Sequence, residues 1–92
     1  MNSFSVDISE TAQKDMDSLD NKTCGGVLKR LKKTAENPLH FLERLSGYTL
    51  YKLRCGDYRV VIRLDTANQI MQVVMVDNRE NVYKRLQRVI NE

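Results

Sequence analysis

Long apolar runs, cysteines and histidines are scarce in this 92-residue chain, and each shortage excludes a class of protein. No apolar stretch approaches the roughly 20 residues that a transmembrane helix needs. The N-terminus has neither the basic start nor the apolar run of a secretory signal, so we expect a cytoplasmic protein with reduced cysteines. Two cysteines and one histidine are too few to close a zinc site by themselves. We therefore predict no metal, no cofactor and no membrane partner.

The remaining composition is that of an ordinary globular protein, with 41% hydrophobic and 29% charged residues. A chain of this length folds around one core, so residues 1–92 are predicted to form a single domain. The net charge is −4 over residues 1–20, +4 over residues 21–50 and +3 over residues 51–92. This distribution suits a polyanion or an acidic protein as partner, and a solvated basic surface explains it equally well.

An alternating apolar pattern predicts a strand at the start of the chain, followed by a helix. Phe4, Val6 and Ile8 alternate with polar residues, which is typical of a half-buried strand. Ser9 can then act as the N-cap of a first helix, because its hydroxyl can accept a hydrogen bond from a free backbone N–H.

A second helix is predicted over residues 22–36. Pro38 ends it, because the residue before a proline avoids the helical conformation. Gly25 and Gly26 weaken this helix, and we attribute them to a close approach of the two helices near their connection. Residues 39–47 fit either a short helical turn or an ordered loop.

Three strands and a last helix are predicted in the second half of the chain. Residues 50–55 and 58–64 alternate in polarity and flank the turn pair 56–57, as in an antiparallel hairpin. Residues 70–76 are nearly all apolar, so we expect them to form the central strand, covered on both faces. An apolar stripe at helical spacing predicts a terminal helix over residues 82–90.

These elements follow the order β-α-α-β-β-β-α and predict an α+β fold. We expect a small twisted, mainly antiparallel sheet with the N-terminal helical hairpin on one face. The fold also includes a C-terminal helix. Strand alternation places four cations on the face opposite the hairpin, namely Lys52, Arg54, Arg59 and Arg63. This row of four cations is either a phosphate-binding surface or a set of solvated charges on an exposed face. The pattern alone favours neither interpretation.

The predicted hairpin resembles that of a known family. Residues 51–60, Y-K-L-R-C-G-D-Y-R-V, resemble the Y-[KR]-x-[KR]-x-G-x-Y-R-[VL] hairpin of RelE toxins from toxin–antitoxin systems. Residues 76–83, V-D-N-R-E-N-V-Y, are similar to the basic segment and V-Y pair that follow the last strand in that family. The ParE relatives share the fold but poison DNA gyrase, and they remain the alternative.

The resemblance to RelE implies the toxin of a type II toxin–antitoxin system. Such a toxin is a ribosome-dependent, metal-independent endonuclease that cuts mRNA and inhibits translation. It also implies a protein that is a monomer alone and a hetero-oligomer with a cognate RelB-like antitoxin. We expect an antitoxin segment to pack on the sheet and helices, and to displace or cover the terminal helix.

The resemblance also assigns site residues. The positions that match catalytic residues of the family are Lys52, Arg54, Arg59, Arg79 and Tyr83. The four basic residues among these five, Lys52, Arg54, Arg59 and Arg79, are also expected to bind RNA. Arg63 is a weaker candidate for RNA binding. Metal-free cleavage of RNA needs a base for the 2′-hydroxyl proton, cations for the charged phosphorane and an acid for the leaving oxygen.

The proton-transfer roles stay open at this point. Lys52 and Tyr83 are rival candidates for the base, and the Tyr83 ring could alternatively stack on a nucleobase or pack in the core. His40, the one histidine, lies outside the motif, and we expect it to have a surface or packing role. Many members of the family have histidine at the position of Asn78, so a degenerate toxin that binds antitoxin without cutting RNA is a third hypothesis. Arg85 and Arg88 are predicted to be surface charges.

Overall fold

A five-stranded sheet with helices on both faces organises the computed structural model, which describes residues 3–45 and 49–90. The helices are α1 (Glu10–Asp17), α2 (Asn21–Glu36), α3 (Pro38–Phe41) and α4 (Arg79–Ile90). The strands are β1 (Ser5–Ile8), β2 (Glu43–Arg44), β3 (Tyr51–Cys55), β4 (Tyr58–Asp65) and β5 (Ile70–Asn78).

The predicted α+β class and mainly antiparallel sheet are confirmed. The strand order is β1-β5-β4-β3-β2, in which only the β1–β5 pair is parallel. The prediction that residues 70–76 form the central strand is wrong, because β4 occupies the middle of the sheet. β5 lies beside it as an interior strand, since β1 covers its outer edge.

Both helices of the N-terminal hairpin begin at side-chain caps. Ser9 Oγ accepts a hydrogen bond from the Ala12 backbone N–H at 3.1 Å, as predicted. Asp20 caps α2 in the same way by accepting from the Thr23 backbone N–H at 3.2 Å. Each cap satisfies a donor that has no partner inside its helix, and this fixes where the helix begins.

Gly25 and Gly26 lie on the exposed side of α2. A Cβ atom added to either residue would meet nothing within 4 Å. The expected close approach of the two helices at this point is therefore wrong. Val27, Leu31 and Ala35 are among the residues of α2 that face the core, and the glycines lie off that stripe.

The segment 39–47 contains both a helical turn and a short strand. Pro38 opens α3, and Glu43 and Arg44 of β2 then pair with Lys52 and Tyr51 of β3. A two-residue strand has no alternation to detect, so the sequence gives no signal for it. Residues 46 and 47 of the segment lie outside the described residues.

Two apolar cores lie on opposite faces of the sheet. The first lies under α1 and α2 and contains Leu31, Leu53 and Ile62 among its fully buried side chains. The second lies under α4, where Val82 and Leu86 pack with buried residues that include Val61, Met75, Leu45 and Leu50. The face that carries the cations is therefore partly covered by the terminal helix, and only its remainder is open.

A bulge in β5 lies within the nearly continuous apolar run over residues 70–76. The register passes from Val61 opposite Met75 to Ile62 opposite Val73, so Val74 is an extra residue on β5. Val73 packs in the first core, whereas Val74 and Met75 pack in the second. The strand therefore lines both cores, as the continuous apolar run predicts.

Candidate functional site

An open cleft of about 430 Å³ lies between the β3–β4 hairpin, β2 and the start of α4. Its lining consists of four cations, two carboxylates and one tyrosine, namely Lys52, Arg54, Arg59, Arg79, Glu43, Glu80 and Tyr83. Five of the six site residues predicted from the sequence therefore lie together, although they come from three elements of the fold.

Two arginines lie directly opposite each other on the floor of the cleft. Arg54 of β3 is the cross-strand partner of Arg59 of β4. Directly opposite residues on neighbouring strands have Cβ atoms about 5 Å apart, and like charges in such a pair destabilise the sheet. Among the described residues, neither arginine forms an ion pair with a carboxylate. The pair concentrates positive charge that an anion would neutralise.

The guanidinium of Arg59 is held rigidly by the hairpin turn. Its side chain is buried, with only 8% of the residue exposed. Nη1 donates hydrogen bonds to the carbonyl oxygens of Gly56 and Tyr58, each at 2.9 Å. Gly56 has a φ of 59°, a conformation that glycine adopts without strain, so the turn depends on this residue. These bonds use Nη1 alone and leave Nε–H and the Nη2 hydrogens for a ligand.

Lys52 is paired with a carboxylate that the sequence analysis did not consider. Glu43 of β2 lies opposite Lys52, and its Oε2 is 3.7 Å from Lys52 Nζ. The Glu43 side chain is 64% exposed and that of Lys52 29% exposed, so this pair lies at the rim of the cleft. Glu43 and Glu80 were both missed. Glu43 belongs to a two-residue strand, which is too short to show an alternation of polar and apolar residues. Glu80 is an acidic residue in the first turn of a helix, which is a common position for such residues.

The start of α4 brings two more site residues to the cleft. Asn78 Oδ1 accepts hydrogen bonds from the backbone N–H groups of Glu80 and Asn81 at 3.1 and 2.8 Å. The Arg79 backbone N–H donates to the Asp57 carbonyl at 3.1 Å, which ties the helix to the hairpin turn. Asn78 thus acts as a helix cap, and the partial positive charge of the helix start adds to that of the Arg79 side chain.

Tyr83 lies one helical turn after Arg79, on the same face of α4. It is 38% exposed and lines the cleft. The alternative that Tyr83 is a core residue is therefore wrong. Its neighbour Val82 takes the buried position, because the stripe of α4 that faces the sheet passes through Val82 and Leu86.

Arg85 anchors α4 to the rest of the fold. Its Nη1 donates to Asp15 Oδ2 and to Asp77 Oδ2, both at 3.0 Å. Asp15 Oδ2 also accepts from the Val76 backbone N–H at 3.0 Å. The prediction that Arg85 is a surface charge is wrong, because two acids on α1 and β5 converge on it. Arg88 is exposed, as predicted.

Comparison with known proteins assigns this chain to a family. Residues 6–83 match the family described as the ParE toxin of the type II toxin–antitoxin system, parDE. The chain belongs to this toxin family. No curated protein matches it.

Three solved structures show how far the likeness extends. The RelBE2 toxin–antitoxin complex from Mycobacterium tuberculosis is 22% identical with a TM-score of 0.77, over 85% of this chain and 100% of that one. A mutant of the Escherichia coli toxin RelE in the free state is 27% identical with a TM-score of 0.74, over 90% and 93%. The chromosomal ParDE system of Pseudomonas aeruginosa is 13% identical with a TM-score of 0.68, over 82% and 95%. The protein is a type II toxin of the RelE/ParE superfamily, which confirms the predicted resemblance.

Two residues considered in the sequence analysis lie outside the cleft of this toxin. Arg63 is at the far end of β4, where its Nη1 donates to Gln72 Oε1 at 3.2 Å in a depression that Asp7 and Asp65 also line. The expected row of four cations is therefore interrupted, because Val61 lies between Arg59 and Arg63 under α4. His40 is exposed, and its ring contacts that of Phe41 edge-on with centroids 4.8 Å apart.

Residues 3–45 and 49–90 also bear on metal binding and on insertion into a membrane. Within these ranges, no three His, Cys, Asp or Glu side chains are grouped so that they could hold a metal ion. None of the described helices has the length and apolar character needed to cross a membrane. Cys24 and Cys55 are both free and half-buried.

Proposed function

We propose that this toxin is a metal-independent endoribonuclease that cleaves mRNA on the ribosome and so inhibits translation. The observation that carries the proposal is the Arg54–Arg59 pair, two arginines at directly opposed positions of β3 and β4 without a carboxylate partner among the described residues. A fold tolerates such repulsion most readily where an anion neutralises it. A phosphodiester fits, because guanidinium groups bind phosphate oxygens through paired, directional hydrogen bonds.

The cleft has a group for each requirement of the reaction. Arg54, Arg59 and Arg79 would bind the scissile phosphate and stabilise the charge that develops on its oxygens. The 2′-oxygen attacks phosphorus and loses its proton to a base, while the bond from phosphorus to the 5′-oxygen breaks. The products are a 2′,3′-cyclic phosphate and a 5′-hydroxyl that takes its proton from an acid.

Glu43 is the residue best suited to act as the base. A carboxylate is negatively charged at neutral pH and can accept the 2′-hydroxyl proton. Its partner Lys52, 3.7 Å away, has protons to give and can hold the phosphate or protonate the leaving oxygen. Tyr83, one helical turn from Arg79, is the alternative acid and could also stack on a nucleobase. The proposed catalytic residues are thus the five predicted from the sequence together with Glu43.

The shape of the site supports the proposed dependence on the ribosome. The cleft is open and its acidic rim residues, Glu43 and Glu80, are exposed. An open site of this kind orders a flexible RNA strand poorly, because binding must overcome the loss of the strand's conformational entropy. An mRNA that the ribosomal A site already holds in an extended conformation would bind without most of this entropic cost.

Primer extension on stalled ribosomes tests the proposal. Purified translation reactions with this toxin should give cuts within the A-site codon, whereas naked mRNA should stay intact. Arg79→Ala should lower the rate of cleavage by about 100-fold, since it removes a transition-state contact. Arg88→Ala is the matched control, because Arg88 is exposed on the same helix but does not line the cleft. Intact mRNA on ribosomes would refute the proposal.

We propose a RelB-like antitoxin as the partner. Solved relatives of this fold include RelE–RelB and RelBE complexes. An acidic segment laid across the cleft would complement its four cations and exclude RNA. Because α4 supplies Arg79 and Tyr83, an antitoxin that displaced or covered this helix would also dismantle the site. The toxin would be a cytoplasmic monomer when alone and a hetero-oligomer when inhibited.

The family match favours inhibition of DNA gyrase as a second candidate function, since residues 6–83 match a ParE toxin family. A gyrase inhibitor needs no general base and no opposed arginines. Purified toxin that blocks DNA supercoiling by gyrase and leaves ribosome-bound mRNA intact would establish this alternative. A degenerate toxin, in which Asn78 replaces a needed histidine, would do neither and would still bind its antitoxin.

A further inference from the structure

A second basic pocket, of about 690 Å³, adjoins the cleft at Arg54, a residue that lines both. The pocket lies between the hairpin turn and the first half of α2. Its cations are Lys22, Arg30 and Arg54, and no Asp or Glu is part of its lining. The proposed chemistry of the cleft does not use Lys22 or Arg30.

The positive charge of this pocket is not neutralised within the part of the chain described. Lys22, Arg30 and Arg54 form no ion pair there. Arg30 lies over the Phe41 ring, with its guanidinium carbon 5.3 Å from the ring centroid, and this contact orients the side chain. Burial raises the pKa of the Cys55 thiol more than Arg30 and Arg59 lower it, so the thiol on the pocket wall stays neutral. The unpaired cations of this pocket favour an anionic ligand.

Gly26 lies at the wall of this pocket and has no packing partner in the described chain. Glycine in the interior of a helix is destabilising and usually has a packing or functional reason. No packing reason exists in the described structure, because a Cβ at Gly26 would meet nothing within 4 Å. Gly26 nevertheless lines the pocket, so its missing side chain leaves the helix backbone accessible at the pocket wall.

We propose that this pocket binds the sugar-phosphate backbone of RNA next to the scissile linkage. A strand held in the cleft by Arg54 would continue past the hairpin turn, and Lys22 and Arg30 would contact its next phosphates. The ligand is thus single-stranded RNA, and the inference rests on the proposed nuclease function.

Salt-dependent binding of a short 2′-O-methyl oligoribonucleotide, which the toxin cannot cleave, tests this pocket by fluorescence anisotropy. Each phosphate contact contributes about 0.7 to the slope of log K against log salt for a single strand. The Lys22→Ala/Arg30→Ala variant should therefore reduce the slope by about 1.4. The matched control is Lys29→Ala/Lys33→Ala, which removes the same charge from the same helix, at residues that line a different groove. It should leave the slope near the wild-type value.

A second pair of variants tests whether the oligonucleotide occupies the pocket. Gly26→Leu should fill the pocket and weaken binding of the oligonucleotide by about tenfold or more, whereas Gly25→Leu should not, since Gly25 does not line the pocket. Both variants should fold, because neither side chain meets the rest of the protein at its Cβ. Equal slopes for the two double variants, equal binding by the two leucine variants, or no binding by the wild type would overturn the inference. Cleavage on ribosomes is measured separately, so a failure of the pocket proposal can be told apart from a failure of the proposed nuclease function.

Discussion

Arg85 of the last helix and Asp15 of the first are joined by a 3.0 Å hydrogen bond, and the same Arg85 nitrogen bonds Asp77 at 3.0 Å. This contact ties α4 to α1 and β5, and α4 carries Arg79 and Tyr83. The other contacts of α4 include Val82 and Leu86, which pack on the sheet, and the Arg79 N–H bond to the Asp57 carbonyl. The position of the two cleft residues therefore depends on a small number of interactions.

Arg85→Met should lower the free energy of unfolding by about 1–3 kcal/mol, because it leaves two half-buried carboxylates without their partner. Urea unfolding at neutral pH measures the change. Hydrogen exchange should show that the loss of protection is concentrated in α4. Arg88→Met, on the same helix, is the control and should change stability by less than about 0.5 kcal/mol. Equal effects of the two substitutions would show that the contact does not anchor the helix.

Glu43→Gln should reduce the rate of mRNA cleavage on ribosomes by about 100-fold or more, since an amide is not a proton acceptor at neutral pH. The uncharged glutamine is close in shape, so RNA binding should persist or strengthen. Single-turnover cleavage separates the two effects. Glu36→Gln, which removes an exposed carboxylate far from the cleft lining, is the control. An unchanged rate for Glu43→Gln would return the role of base to Lys52 or Tyr83.

Gly25→Ala should stabilise the protein by about 0.5–1 kcal/mol, because alanine is the better helix former and its Cβ meets nothing. The midpoint of urea unfolding should rise with an unchanged dependence on denaturant, and mRNA cleavage should stay the same. A decrease in stability would mean that α2 needs the glycine for a contact that the structure does not contain.

Stability at acid pH should respond to the cap of α2. Hydrogen bonds from the Thr23 side chain and backbone lower the pKa of Asp20 below its ordinary value of 3.8. The contribution of the ionised cap is therefore present above that value and is lost as the pH falls through the lower folded-state pKa. The difference in melting temperature between wild type and Asp20→Ala should shrink below about pH 4. A difference independent of pH would contradict this assignment.

Local patterns were enough to predict most of the fold. Ser9, the apolar stripe of α2 and the Gly56 turn each determine their element through contacts a few residues apart. The strand β2 and the position of β5 were missed because they depend on pairing between distant segments. No feature of Glu43 or Arg44 indicates that they add an edge to the hairpin.

Some site residues could likewise be predicted from local patterns, whereas others depend on contacts between distant segments. Lys52, Arg54 and Arg59 were predicted to share a face because alternation along two paired strands requires it. Arg63 follows the same alternation and still lies elsewhere, since α4 covers Val61 between it and the cleft. The roles of Glu43 and Arg85 come from partners on other elements, and such tertiary contacts leave no pattern in the sequence.

The most direct test of the central claim is the fate of an mRNA that carries a single 2′-deoxynucleotide at the site of cleavage in the ribosomal A site. If the cleft promotes attack by the 2′-oxygen, the unmodified mRNA should be cut to a 2′,3′-cyclic phosphate, and the deoxy-substituted mRNA should stay intact. Equal cleavage of both mRNAs, or no cleavage of either, would contradict the account.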